Sequence, residues 1–359
     1  MLRCIKCGTE YTNFRYRCSR CSNVLIYHNE GMKWQPSGIG VWRYQSMLPV
    51  KKRVSMSEGG TPLIRRRDVK EHVYLKLEGD NPTGSFKDRG TTVAISDAIA
   101  KGYRTVSVAS TGNMGASVAA YCAYANLEAR VFIPQDVPRE KISQIEAYGA
   151  NLIRVDGPFS KAVERSIEEM ERDHNHVYLA STGLNPLFLE GLKTVGFEIF
   201  ESIGVPDRIV VPSGTGGMLT SIFKAFEELK SLGIVNKLPR MVAVQAEDCS
   251  PIVNAWRTGG EVIPQEQCRT VASAIMVKVP FNAYSALDAI RRSGGEAISV
   301  TDEAIIGAIK VLGKEGVFAE PASAAAAAAM QSMKTEKDEK VVLMITGSGL
   351  KDPNAQFRD

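Results

Sequence analysis

Residues 76 to 90 read Lys76-Leu-Glu-Gly-Asp-Asn-Pro-Thr-Gly-Ser-Phe-Lys-Asp-Arg-Gly90 and place one lysine, Lys87, where a strand gives way to a helix. The alternation Val73-Tyr74-Leu75-Lys76-Leu77 predicts a strand, and Asn81-Pro82-Thr83-Gly84 predicts a turn. Ser85 is the expected N-cap of a helix from about Phe86 to Ala100, stopped by Gly102. In a first helical turn, unpaired backbone N–H groups and the positive end of the helix dipole disfavour a second positive charge. Lys87 is therefore expected to lose its proton readily, as a lysine that attacks a carbonyl must. A lone lysine near a helix start is ordinarily a surface residue, and only the residues around Lys87 single it out.

The chain has 359 residues, enough for two lobes and a small appendage, with 44% hydrophobic and 23% charged residues. That balance indicates neither disorder nor a coiled coil. With 44 basic and 40 acidic side chains the net charge is +4, too even for a nucleic-acid footprint. The start of the chain lacks the apolar run of a signal peptide, and no stretch approaches the roughly 20 apolar residues of a membrane span. Neither a membrane nor a nucleic-acid partner is expected. Of the seven cysteines, Cys122 lies in an apolar helical pattern and Cys249 and Cys268 stand apart, so reduced thiols in a cytoplasmic protein are expected.

Four of the cysteines fall in the first 30 residues as Cys4-Ile-Lys-Cys7 and Cys18-Ser-Arg-Cys21. Paired Cys-x-x-Cys knuckles can close a tetrahedral zinc site whose metal supplies the folding energy that so short a segment cannot bury. A structural zinc held by Cys4, Cys7, Cys18 and Cys21 is expected. The departure is Ser22-Asn23, where such knuckles usually carry glycine after the second cysteine. Residues 31 to 72 read as a connecting wrap anchored by Trp34, Trp42 and Tyr44, ending in Ser57-Glu-Gly-Gly-Thr-Pro-Leu63.

From residue 105 strands and helices alternate, which predicts an α/β fold with a parallel sheet covered on both faces and ligands at the carboxyl ends of its strands. Ser110-Thr-Gly-Asn-Met-Gly-Ala-Ser117 joins a strand to a helix start, a cradle suited to a carboxylate. Ser213-Gly-Thr-Gly-Gly-Met218 follows the strand Arg208 to Pro212 and precedes a helix starting near Leu219. Its three glycines let successive N–H groups wrap a phosphate, although Gly-x-Gly-x-x-Gly spacing is absent. A helix opened by Pro321 and a buried strand Val341 to Ile345 lead to Thr346-Gly-Ser-Gly-Leu-Lys-Asp-Pro353.

Taken together, Asn81-Pro-Thr-Gly-Ser-Phe-Lys-Asp-Arg-Gly90, the Glu58-Gly-Gly-Thr-Pro-Leu63 segment and the Thr346-Gly-x-Gly-Leu-Lys351 run resemble the threonine synthases. These belong to the tryptophan-synthase-β-like group of pyridoxal-phosphate enzymes. The resemblance covers about residues 34 to 353 and includes Leu189-Glu-Gly191-x-Lys193-Thr194, Ser293-Gly-Gly295 and Ala319-Glu-Pro-Ala-Ser323. It implies a two-lobed fold type II architecture. The cysteine-rich head would be residues 1–30, the large cofactor-binding lobe 31–104 and 195–359, and the small lobe 105–194. It further implies Lys87 as cofactor anchor and catalytic base, with Asn113 at the cofactor's phenolic oxygen. Gly214, Thr215, Gly216, Gly217 and Met218 would hold its phosphate, and Thr346 would face its pyridine nitrogen. Ser110, Thr111 and Gly112 would bind the substrate carboxylate. A hydroxyl such as that of Thr346 cannot hold the ring nitrogen protonated, which suits elimination and replacement better than transamination.

The implied reaction converts O-phosphohomoserine and water to threonine and phosphate, in a homodimer acting on a small amino acid. One departure bears on the substrate. Many bacterial and plant members carry an arginine that grips its phosphate, whereas this chain has Thr182-Gly-Leu-Asn-Pro-Leu-Phe188. Lys193, Arg89 or Thr182 is expected to take over. The alternatives are a replacement synthase using O-phosphoserine, of the cysteate-synthase kind, a serine or threonine ammonia-lyase, and a zinc-ribbon binding protein with a relic cofactor body.

Overall fold

Segments such as Ile209-Val-Val211 and Val341-Val-Leu-Met-Ile345 are apolar on every residue, so they are stable as strands only where both sheet faces are covered. The computed structural model describes residues 1–29, 31–67 and 72–355. Its head consists of strands β1 (Leu2–Cys4), β2 (Glu10–Tyr11) and β3 (Leu25–Tyr27), an antiparallel sheet in the order β2-β1-β3. There follow β4 (Leu63–Arg65), β5 (His72–Leu77), α1 (Lys87–Ala100), β6 (Thr105–Ala109), α2 (Asn113–Tyr124), β7 (Glu128–Pro134) and α3 (Arg139–Ala147). Next come β8 (Asn151–Val155), α4 (Phe159–Arg172), β9 (Val177–Leu179), α5 (Pro186–Ile203), β10 (Arg208–Pro212), α6 (Gly217–Ser231), β11 (Arg240–Ala246) and α7 (Pro251–Thr258). The last are α8 (Ala283–Ser293), β12 (Glu296–Val300), α9 (Asp302–Lys314), α10 (Pro321–Ala329) and β13 (Lys340–Ile345).

Strands β8-β7-β6-β9 form one parallel sheet, and β12-β11-β10-β13-β5-β4 form another, parallel except for β4, which runs antiparallel to β5. The α/β expectation is met with two parallel sheets rather than one. Helix α10 packs against β10, β11, β12 and β13 with all nine residues buried, because alanine side chains let a helix approach a sheet closely. Helix α5 packs on α1 and α6. Neither α5 nor β12 is anticipated from the sequence. Residues 186–199 of α5 are buried on every face, charges included, so the helix shows no polar stripe by which to recognise it.

Those buried charges are paired. The Arg89 guanidinium is fully buried and donates two hydrogen bonds to each of two carboxylates, Glu78 at 2.6 and 2.8 Å and Glu198 at 2.7 and 2.7 Å. Lys76 donates to Glu198 and to the Thr61 carbonyl, both at 2.6 Å. The Thr194 hydroxyl accepts the fifth Arg89 proton at 3.2 Å, and the Thr61 hydroxyl shares an Nη2 proton with the carboxylates at 3.1 Å. The Gly60 N–H donates to Glu198 at 2.7 Å, and the Gly59 N–H donates to Asn81, whose amide also bonds Glu78. Gly59 has φ +82 and a Cβ there would lie 3.0 Å from both Arg89 and Glu198, so the Glu58-Gly-Gly-Thr turn is shaped by the cluster it covers. The wrap is also anchored as expected, with Tyr44 buried and the Trp42 indole N–H donating to Thr92 at 3.0 Å.

In the head the two knuckles share one hydrogen-bond pattern. Gly8 N–H donates to Cys4 O and Ser22 N–H to Cys18 O, while Cys4 and Cys18 N–H groups donate to Thr9 O and Asn23 O. Ser22 takes φ 54, matching Gly8 at φ 73, so the serine adopts the left-handed turn at a cost of about 1–2 kcal/mol. One cysteine expectation is corrected. Cys249 and Cys268, 19 residues apart in sequence, form a disulfide, because the turn after β11 brings their Cα atoms to 4.7 Å. Cys122 is a free buried thiol as expected. Among the described residues no helix is long and apolar enough to cross a membrane.

Removing one partner from the Arg89 cluster leaves buried charge uncompensated. Glu198→Ala is expected to lower unfolding stability by about 3–5 kcal/mol, read as a fall in the urea midpoint. A loss below about 1 kcal/mol would show that Arg89 and Lys76 are satisfied without Glu198.

Candidate active site

Lys87 is the first residue of α1, reached from the carboxyl end of β5 through the turn 81–84. Three sets of bonds fix that turn. Asp88 accepts from the Thr83 N–H at 2.7 Å, the Thr83 hydroxyl at 2.6 Å and the Ser117 hydroxyl at 2.6 Å. The Phe86 N–H donates to Thr346 O at 3.0 Å, and the Ser348 N–H donates to Gly84 O at 2.9 Å. The start of α1 is thus fastened to the end of β13. Ser85 does not cap the helix. Its buried hydroxyl has no hydrogen-bond partner, and its backbone is instead bridged to Gly347.

Lys87 itself is half-buried at the foot of this turn, with its ammonium 4.3 Å from the Phe86 ring centroid and 6.0 Å from that of Phe188. Burial lowers its pKa from 10.5 to about 8, against the opposing pull of the Glu320 carboxyl. About a tenth of the amine is then neutral at pH 7, against about one part in 3,000 for an ordinary lysine. Desolvation is the leading cause, beyond the helix dipole expected from sequence.

Strands β10, β13 and β5 are neighbours in one parallel sheet, so the 214–218 loop, Thr346 and the Lys87 turn follow the same carboxyl edge. Asn113 opens α2 and donates its amide to Glu320 at 2.9 and 3.2 Å. Glu320 is buried, and that burial raises its pKa. The Thr346 hydroxyl lies 3.0 Å from that of Ser323. Gly112 precedes α2 with its N–H donated to the Ser110 hydroxyl, and a Cβ at Gly112 would meet nothing within 4 Å, so the Ser110-Thr111-Gly112 loop faces open space. Gly216 caps α6 with φ +87, and the helix begins at Gly217 rather than near Leu219. Thr215 accepts from the Gly217 N–H through its hydroxyl and from the Asn282 N–H through its carbonyl. Met218 is buried in the first turn of α6. The N–H groups of that turn have no carbonyl within the helix to pair with, the arrangement that receives a phosphate.

A phosphorylated aldehyde fits these residues: a poised amine at Lys87, an anion cradle at 214–218, and two buried polar atoms without partners, Ser85 Oγ and Asn282 Oδ1. In the head, the four Sγ atoms of Cys4, Cys7, Cys18 and Cys21 lie within 4.8 Å of one another. Zinc–sulfur bonds of about 2.3 Å place tetrahedral sulfurs about 3.8 Å apart, so this cluster fits the metal.

The substrate cations expected from sequence are not free. Lys193 is fully buried and paired with Glu190 at 2.7 Å and Glu228 at 2.9 Å. Arg89 is consumed by the cluster described above. Both look like free cations in sequence because their carboxylate partners lie on other turns or other helices. Thr182 offers its carbonyl to the Asn282 amide at 3.4 Å. Phe188 is fully buried against Gly90, where a Cβ would meet its ring at 2.6 Å. Sequence reasoning also passed over Glu320 and Asp88, although both stand inside quoted motifs. The signal at Glu320 was a carboxylate among small residues, and at Asp88 a carboxylate between two cations at a helix start.

Residues 54–347 match the family model described as pyridoxal-phosphate dependent enzyme. The chain is 43% identical to the threonine synthase of Methanocaldococcus jannaschii, covering 99% of this chain and 94% of that protein. It is 39% identical to that of Mycobacterium tuberculosis, covering 88% and 89%. Among solved structures, a pyridoxal 5'-phosphate-dependent aspartate racemase superposes with a TM-score of 0.71 at 22% identity, covering 83% of this chain and 93% of that one. Maize serine racemase superposes with a TM-score of 0.69 at 20% identity, covering 80% and 88%. The two racemases share the fold; the motifs around Lys87 and the match along nearly the whole chain go further, and the chain belongs to the threonine synthase family of pyridoxal-phosphate dependent enzymes.

Proposed function

We propose that the protein converts O-phosphohomoserine and water to threonine and phosphate, breaking the Cγ–O bond and placing a hydroxyl at Cβ. The observation that carries this reading is the poised Lys87 amine, facing the Glu320 carboxyl that Asn113 also bonds, on the same carboxyl edge of the parallel sheet as the 214–218 loop, in a chain of this family. Pyridoxal phosphate, when bound, supplies a sink for the electrons left behind as the substrate loses its α-proton. In our reading Lys87 anchors the cofactor and, once released, takes the α-proton, for which a pKa near the working pH is the efficient value. Gly214, Thr215, Gly216, Gly217 and Met218 hold the cofactor phosphate on the amides of α6. Asn113 faces the phenolic oxygen and Thr346 the ring nitrogen, while Ser110, Thr111 and Gly112 take the substrate carboxylate.

Thr182 remains a candidate substrate contact; Lys193 does not, since its ammonium is buried between carboxylates. The lobes fall in this reading at 31–104 with 195–359, and at 105–194, with α5 continuing across the second boundary. We also read the protein as a homodimer and the head as a structural zinc ribbon on Cys4, Cys7, Cys18 and Cys21.

Two measurements test this. Phosphate release and threonine formation are followed together with purified holoenzyme and O-phosphohomoserine. One phosphate per threonine is expected; phosphate without threonine would indicate abortive elimination, and neither product would move the assignment to an ammonia-lyase or an O-phosphoserine enzyme. Metal analysis after washing the folded protein with chelator is expected to find one zinc per chain. Cys7→Ser is expected to lower stability while retaining part of the activity, since the head meets the body through Lys6 at Tyr284, Tyr16 at the Leu179 N–H and Asn29 at Glu190, none of them a residue assigned to the site. A metal-free protein of unchanged stability would contradict the zinc assignment.

A further inference from the structure

The phosphate of the substrate needs a cation, and the three groups expected from sequence do not supply one. Lys193 and Arg89 are neutralised by buried carboxylates, and Thr182 is uncharged. Lys76 and Lys224 are likewise paired, with Glu198 and with Glu190 and Glu228. Lys351 differs from all of these. It lies in the short helical turn Gly349–Lys351 that follows β13, and its side chain packs on the turn before Lys87, where a Cβ at Gly84 would lie 3.2 Å from Lys351 Cδ. Its ammonium donates to the Thr83 carbonyl at 3.1 Å and to the Gln144 side-chain oxygen, two neutral acceptors. Among the described residues it forms no ion pair with a carboxylate, although burial already disfavours its charge.

Its neighbours are those of the site. Gln144 lies on α3, next to Ile145, whose Cδ1 would touch a Cβ at Gly115 at 2.7 Å in the first turn of α2, where the same Cβ would lie 2.9 Å from the Ser110 carbonyl. The Gln144 amide also donates to the Thr83 carbonyl at 3.1 Å. Lys351 and Lys87 both act electrostatically on the buried Glu320. A half-buried ammonium hydrogen-bonded only to neutral oxygens, between the Lys87 turn and α3 and with the Glu320 and Asp88 carboxylates near but not paired to it, is arranged to receive an anion.

We propose that Lys351 is the cation that binds the substrate phosphate. The proposal rests on the reading that the substrate is a phosphate ester. The Gln144 side chain then acts as a neutral support that holds the ammonium until the phosphate arrives. This accounts for activity on a phosphorylated amino acid with Phe188 in place of a basic residue.

The test uses holoenzyme, so that the cofactor occupies its own phosphate cradle, and compares wild type with Lys351→Gln and Lys351→Arg. Binding of inorganic phosphate is measured by calorimetry, beside kcat and KM for O-phosphohomoserine, the cofactor absorbance and the thermal midpoint. Lys351→Gln is expected to weaken phosphate binding and raise KM by about tenfold or more, the scale of one charged hydrogen bond. Lys351→Arg is expected to restore most of both, and absorbance is expected to stay the same in each. Lys351→Met replaces Lys351→Gln should that variant fail to fold. Unchanged phosphate affinity in the neutral variant, or no phosphate binding by wild type at millimolar concentration, would overturn the proposal. A lower thermal midpoint with unchanged phosphate affinity would assign Lys351 to fastening α3 onto the Gly84 turn. Wild type that makes no threonine while Lys351→Gln still loses phosphate affinity would sink the substrate reading and leave this assignment standing.

Discussion

The Arg89 guanidinium, fully buried and held by Glu78 and Glu198, is the interaction on which the remaining structure depends. Its partners come from different parts of the chain: Thr61 from the wrap, Glu78 from the turn after β5, and Thr194 and Glu198 from α5, with Lys76 of β5 joining through Glu198. An ion cluster of this kind gains little net stability over apolar packing of the same volume. What it does is fix geometry, since a bidentate guanidinium tolerates neither rotation nor sliding of the elements that hold its carboxylates. Arg89 is two residues beyond Lys87, so the same constraint that joins β5 to α5 also fixes the start of α1.

That placement separates two kinds of buried cation. Arg89, Lys76 and Lys193 face carboxylates and are structural. Lys87 and Lys351 face aromatic rings or neutral oxygens, and burial lowers the pKa of each. Both feel the Glu320 carboxyl without a direct ion pair to it, and a buried cation held so loosely is costly unless a ligand completes it. In our reading, which the family membership supports, the two such groups have ligands: a carbonyl for Lys87 and a phosphate ester for Lys351.

Much of this was legible in the sequence because it depends on local pattern. The turn before Lys87, the glycine loop before α6 and the paired knuckles are all short-range features that backbone geometry demands. What was not legible depends on partners distant in sequence. Arg89 read as an available base because Glu198 is 109 residues away, and Lys193 because Glu228 is 35 residues away and burial, invisible in the sequence, holds it also to Glu190 three residues before. Ser85 read as a cap because serine before a helix usually is one, yet here Thr83 and Phe86 satisfy the turn through Asp88 and Thr346. Helix α5 was hidden by burial on every side, and the Cys249–Cys268 pair by a loop that folds back after β11.

The central claim is that the fold leaves one amine, that of Lys87, poised to capture the cofactor carbonyl. Borohydride reduction of the holoenzyme followed by peptide mapping measures this directly. The account predicts a single pyridoxyl group on Lys87, carried by the peptide containing Ser85-Phe-Lys-Asp-Arg-Gly90. A label on any other lysine, Lys351 included, or a protein that takes up no label, would contradict it.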